Sequence, residues 1–262
     1  SGPIPTYIHV NPAKEIFTLS DIHGDIHSLI IVLRDLARVI KKKDSFPFDN
    51  NTYDSNLEEL LNIDICDTDG AYIDDLNYEW ITGNESYIVI IGDIIDAYRG
   101  REWGIKKDNS DDFEHQYPQI EIKLLRFINA INKQAVTYNG RIFKLFGNHE
   151  VLNILSTNLQ DEYIFPSDRT KFNYYRGKTR KNIFHYGNEG YNLLLEDECR
   201  CLLMLNNYIF VHGQMSRHTF DIVERFNNIL NTNPTETTAT DIYIELDNPE
   251  ISPLWLRTYG EY

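Results

Sequence analysis

An α/β fold is predicted by two features of the sequence. Apolar runs of strand length alternate with stretches of helical period, and three of the runs lead directly into short blocks of Asp, Asn, His and Gly. The blocks are Ser20-Asp21-Ile22-His23-Gly24, Gly92-Asp93-Ile94-Ile95-Asp96 and Gly147-Asn148-His149-Glu150. Folds of this class place their sites at the carboxyl ends of strands, so the blocks mark the expected site.

Residues 15–20 read as the first buried strand. Residues 26–39 read as a helix, because Leu29, Val32, Leu33, Leu36 and Val39 or Ile40 recur at helical spacing. Lys41-Lys42-Lys43 then suits the negative end of that helix. A second strand is expected at 87–91, a helix at 120–132 and a third strand at 141–146. Residues 199–205 and 208–211 read as a hairpin turned by Asn206-Asn207, which would deliver His212-Gly213. A helix at 219–230 and a polar loop at 231–240 follow. With no internal repeat or composition break, the chain reads as one domain over 1–262, with insertions at about 44–86 and 157–190. The first insertion is acidic. The second carries Arg169, Lys171, Arg176, Lys178, Arg180 and Lys181, which either steer an anionic substrate or form a solvated loop.

A net charge of −15 over 262 residues argues against nonspecific binding to nucleic acid or an anionic membrane. No apolar run reaches the roughly 18 residues needed to span a bilayer. Cys66, Cys199 and Cys201 are odd in number and lack a CxxC spacing, so a reducing, cytoplasmic setting is expected. Cys199 and Cys201, two apart on a strand, share a face and serve either as packing or, less simply, as thiolate ligands.

The blocks supply carboxylate, imidazole and amide donors, a mixture that suits hard or borderline divalent ions. Two such ions, about 3.5–4 Å apart, activate a water and neutralise phosphoryl oxygens. Asp21 and His23 are natural ligands for one ion, Asp93 for the bridge, and Asn148 and His212 for the other.

The ordered blocks resemble the phosphoprotein phosphatase family of calcineurin-like metallophosphoesterases, with its GDxHG, GDxxDRG, GNHE and HGG patterns. Here these stand as SDIHG, GDIIDAYRG, GNHE and VHGQ. The stretch with Trp80 and Gly83, Glu150-Val151-Leu152-Asn153, and Pro253-Leu254-Trp255-Leu256-Arg257 resemble the Shewanella-like (bacterial-like) branch. The resemblance covers about residues 15–258. It implies two packed mixed β-sheets flanked by helices, a four-layer sandwich with metals at one edge.

The resemblance also implies a metal-dependent phosphatase that hydrolyses phosphomonoesters on proteins, at Ser/Thr or Tyr, by attack of a metal-bridging hydroxide. Asp21, His23 and Asp93 would bind the first ion, and Asp93, Asn148 and His212 the second, as Mn, Fe or Zn. His149 would protonate the leaving oxygen, oriented by Asp96. Arg99, Arg257 and Asn148 would hold the phosphate of a phosphoprotein substrate.

Several positions depart from the pattern. Ser20 replaces a glycine, Gln214 replaces the second glycine after His212, and Arg99 stands two residues late. The family's further metal-binding histidine has no match, and His218 is a poor substitute. Either the native chain continues past Tyr262 or the second ion has fewer ligands. Two alternatives follow: a dinucleoside polyphosphate hydrolase, and a weakened phosphatase-fold protein that binds phosphorylated partners.

Overall fold

A computed structural model describes residues 7–11, 14–43, 78–96, 112–155, 180–197, 199–231 and 236–255. Its strands are β1 (Tyr7–Ile8), β2 (Ile16–Leu19), β3 (Ile40–Lys42), β4 (Tyr78–Trp80), β5 (Tyr87–Ile90), β6 (Arg141–Lys144), β7 (Leu202–Leu205) and β8 (Tyr208–Val211). Its helices are α1 (Ile26–Ile31), α2 (Asp112–Thr137), α3 (Asn148–Leu155), α4 (Arg180–Phe184), α5 (Glu189–Leu195), α6 (Thr219–Asn231) and α7 (Glu236–Leu246).

Strands β2, β5 and β6 form a parallel sheet in that order, and β1, β7 and β8 form a mixed one. A bridge between Leu145 and Arg200 joins the two sheets, with Phe146 N–H donating to the Arg200 carbonyl at 2.7 Å. The expected sheets flanked by helices are therefore present. Among the described strands, only the second sheet is mixed.

Alternation along the strands builds two cores. Ile88 and Ile90 of β5 and Ile142 of β6 point into the larger core, with Leu124, Leu125, Ile128 and Ile131 of α2. Val89 and Phe143 point the other way, toward Leu203 and Leu205 of β7. A sheet covered on both faces needs near-continuous apolar strands, which is why 87–91 and 141–146 lack a polar face. At roughly 25 cal/mol per Å² of apolar surface removed from water, these faces are the main source of stability.

Register explains where the site forms. Leu19 pairs with Ile90, and Ile90 with Lys144. The three strands thus end level with one another, and the blocks that follow them leave the sheet side by side.

Three local expectations are corrected. The helix after the first block runs regularly only through Ile31. It continues as a π-helical turn, Val32–Leu36, in which Ala37 N–H bonds the Val32 carbonyl at 2.8 Å. Arg38, at φ 55°, then breaks the helical path, so Lys41 and Lys42 sit on β3, paired with β4, not at a helix end. From Glu236 onward the expected loop at 231–240 is instead α7, whose Ala239, Ile242, Tyr243 and Leu246 are buried at helical spacing. The helix expected at 120–132 is longer, running from Asp112 to Thr137.

Lys144 is an exception on the larger core face. Its ammonium is buried and donates to Asn129 Oδ1 at 2.5 Å and to the Leu193 carbonyl at 3.0 Å. Burial pushes its pKa down from 10.5 to about 8, against the opposing charges of Cys199, Asp197 and Glu196. Between those values the unfolded chain holds a proton that the folded chain has released. Folding stability from this group is therefore expected to rise with pH from about 8 to 10.5. Urea midpoints across that range should rise more steeply in the wild type than in Lys144→Met; parallel profiles would contradict the assignment.

Cys199 and Cys201 are both free and buried. Burial pushes the Cys199 thiol up to about 12 and the Cys201 thiol well above its usual value, so the packing alternative holds for both. Cys66 lies outside the described residues, as do most of the two insertions. Among the described residues, no helix is long and apolar enough to cross a membrane.

Candidate metal centre

Seven of the sequence-predicted residues converge beyond the ends of β2, β5, β6 and β8. Asp93 is at the middle and is 3% exposed. Its Oδ2 lies 3.6 Å from His23 Nε2, and its Oδ1 lies 3.4 Å from His212 Nε2. Asp21 stands at the mouth, with Oδ1 3.9 Å from His23 Nε2. Asn148 Oδ1 is 3.0 Å from His212 Nε2. His149 packs edge-on to His23, with ring centroids 4.8 Å apart.

Backbone carbonyls set the two outer imidazoles. His23 Nδ1 faces the Ile95 carbonyl at 3.2 Å, and His212 Nδ1 faces the Ile91 carbonyl at 2.8 Å. A carbonyl only accepts, so each Nδ1 carries a proton, and whenever such a ring is neutral its Nε2 lone pair faces inward. Fixing the outer nitrogen in this way is how metal-binding histidines are commonly oriented.

His149 differs: its Nδ1 lies 2.7 Å from Asp96 Oδ2, and the ring is fully buried. Asp96 itself is 2% exposed.

The charges fit a cation. Burial works against ionisation of Asp93, but the hydrogen bond and charge of His212, with the charge of His149, hold its pKa down to about 2. Burial also disfavours charged His149 and His212. It is outweighed in His149 by the Asp96 hydrogen bond and neighbouring carboxylates, and in His212 by Asp93, so both pKa values are raised.

Where the rings are neutral, the His212 lone pair, Asn148 Oδ1 and Asp93 Oδ1 are acceptors crowded against one another. Such a cluster needs a proton or a cation. Ligand atoms of His23, Asp93 and His149, and of Asp21, Asp93 and His212, lie within 4.8 Å of one another in each trio. The donor set therefore fits one or two divalent ions, with Asp93 common to both groups.

The backbone is bent to achieve this. Asp21, His23, Asp93 and Asp96 have φ of 54°, 45°, 51° and 76°, the left-handed region that costs ordinary residues energy and clusters at functional sites. Gly147 shows how tight the fit is: a Cβ there would collide with the Asp93 amide nitrogen and Oδ1. Gly147→Ala is expected to push Asp93 aside and weaken Mn²⁺ binding by at least about tenfold in a calorimetric titration. Unchanged affinity would show that Asp93 does not need this position.

Not all of the expected residues are gathered here. Arg99 and Arg257 lie outside the described residues. His218 is elsewhere, its Nε2 accepting from Arg217 Nε at 3.0 Å.

Sequence reading missed two buried acids. Glu150 lies inside the third block, yet its role emerges only in three dimensions. Its carboxylate accepts from the amides of Asp93, Ile94, Ile95 and Gly147 at 2.7–3.0 Å. Glu121, on α2, accepts from the amide of Asp96, and no local pattern singles it out.

Comparison with known proteins agrees with the architecture. The chain superposes on the cold-active protein-tyrosine phosphatase of a psychrophilic Shewanella species with a TM-score of 0.57 and 19% identity, over 99% of this chain and 62% of that one. A mutant form of a cold-active protein tyrosine phosphatase gives a TM-score of 0.58 at 18% identity, over 98% and 60% of the two chains. A third structure of a cold-active protein tyrosine phosphatase, at 1.1 Å, gives 0.55 at 20%, over 99% and 60%. This chain has the fold of those phosphatases, the Shewanella-like phosphatase fold anticipated from the motifs.

An uncharacterized protein of Schizosaccharomyces pombe is 29% identical over 137 residues, 52% of this chain and 33% of that protein. The chain thus spans about a third of the curated relative and three-fifths of the structural ones. No family model matches the sequence.

Proposed function

We propose that this chain is a metal-dependent phosphatase acting on phosphomonoesters of proteins, at phosphotyrosine or phosphoserine/threonine. The observation that carries the reading is the buried His149–Asp96 pair set beside the Asp93-centred cluster of carboxylates and imidazoles. The cold-active structural relatives are protein tyrosine phosphatases, which supports the substrate class.

Asp21, His23 and Asp93 would hold one divalent ion, and Asp93, Asn148 and His212 the other. When bound, the ions supply an acidified water and a sink for phosphoryl charge. The chain's own residues perform the proton chemistry. Asp96 keeps the Nδ1 proton of His149 in place and stabilises the imidazolium. As phosphorus is attacked and the ester P–O bond breaks, the electron pair passes to the leaving oxygen. That oxygen takes the Nε2 proton of His149, leaving a neutral ring whose Nδ1–H still faces Asp96. We assign phosphate gripping to Arg99 and Arg257, whose guanidinium groups offer paired donors.

The test offers the Mn²⁺-loaded chain a phosphotyrosine peptide, a phosphoserine peptide and diadenosine tetraphosphate. Release of phosphate from either peptide supports the proposal. Turnover of the dinucleotide alone would move the chain to the nucleotide phosphohydrolases, and binding of a phosphopeptide without turnover would make it a recognition protein.

A further inference from the structure

The turn that carries both Asp93 and Asp96 is held by carboxylates from two directions. Its four successive amides are all received: those of Asp93, Ile94 and Ile95 by Glu150, at 2.8, 2.7 and 3.0 Å, and that of Asp96 by Glu121 Oε1 at 2.5 Å. Glu150 belongs to the third block, whereas Glu121 comes from α2 and from none of the motifs. Glu121 is 1% exposed. A buried carboxylate is retained at a cost that hydrogen bonds must offset, and the bond to the Asp96 amide is among those that do so here.

The consequence lies one bond further on. Asp96 is in the left-handed region at φ 76°, and its side chain reaches His149 Nδ1 at 2.7 Å. An aspartate in that conformation directs its carboxylate at the imidazole only while its own peptide group is fixed. Glu121 stands on α2 just before Leu124, Leu125 and Phe127, which are fully buried, so packing of the helix against the core anchors the acceptor.

We propose that Glu121 is a positioning residue. By fixing the amide of Asp96 it holds the Asp96 carboxylate against His149, and so aims the Nε2 proton at the leaving oxygen. The inference rests on the phosphatase reading above, in which His149 is the proton donor.

Two measurements on the full chain test it. In the metal-free protein, the His149 Nδ1 proton should give a downfield proton resonance that is missing in His149→Asn. The resonance should persist in Glu121→Gln, whose amide oxygen still accepts, and be lost to exchange in Glu121→Ala. With Mn²⁺ supplied, Glu121→Ala should lower kcat on phenyl phosphate about 10- to 100-fold at unchanged KM. On dinitrophenyl phosphate, whose leaving group needs no proton, the change should stay under about threefold.

A resonance intact in folded Glu121→Ala, its loss in Glu121→Gln, or equal losses on both esters would overturn the proposal. If Glu121→Ala does not fold, the Glu121→Gln spectrum and amide exchange in the wild type decide: fast exchange at Asp96 overturns it. The resonance needs neither metal nor substrate. If it behaves as expected while the wild type hydrolyses neither ester, the phosphatase reading fails and the positioning of His149 by Glu121 stands.

Discussion

Replacing His149 with asparagine is expected to lower hydrolysis of phenyl phosphate by about 10²- to 10⁴-fold, the range general acid catalysis supplies. Mn²⁺ affinity should change little. The prediction separates two roles that the geometry brings close together. His149 Nε2 lies 3.9 Å from Asp93 Oδ2, near enough to share a cation with His23 and Asp93. Its Nδ1, however, faces a carboxylate and not a carbonyl, unlike His23 and His212. That pairing raises the pKa of the ring and favours the protonated form a proton donor needs, which is the form that cannot bind metal. Calorimetric titration with Mn²⁺ alongside steady-state kinetics checks this. A loss of metal binding matching the loss of turnover would reassign His149 as a ligand.

The second large effect is expected at Asp93. Asp93→Asn should abolish binding of at least one ion and, with it, hydrolysis of good and poor leaving groups alike. The carboxylate is common to both candidate ligand groups, and its two oxygens face different imidazoles. An amide presents one oxygen and no charge, so it cannot bridge. The fold should survive, because the amide of residue 93 still bonds Glu150 and the strand β5 before it is unaffected. Metal content of the purified variant by elemental analysis, with circular dichroism as the control for folding, decides the matter. A folded variant retaining two ions per chain would remove Asp93 from the bridge.

Much of the site was legible in the sequence because each of its residues lies within a few positions of a strand end. Asp21, Asp93 and Asn148 follow β2, β5 and β6, and the parallel register makes proximity in sequence to a strand end equivalent to proximity in space. His212 was legible for the same reason, one residue after β8.

What failed to show depended on distant partners. Glu121 lies 25 residues from the Asp96 amide it holds, in a helix whose pattern reads only as core and surface. The end of the first helix was misread because Arg38 adopts a left-handed turn without the glycine that usually marks one. The first turn of α7 reads as part of a polar loop, although Ala239, Ile242, Tyr243 and Leu246 keep the helical period. Packing of Tyr243 against Phe226 and Phe146 overrides the weak helix propensity of threonine there.

On the proposed function, these residues assemble a metal-dependent phosphatase. The most direct test is phosphate release from a phosphotyrosine peptide by the chain stripped with EDTA and titrated with Mn²⁺. Release should be absent after stripping and should rise to saturation as Mn²⁺ is restored. Release that persists without metal, or none at any Mn²⁺ concentration, would contradict the account.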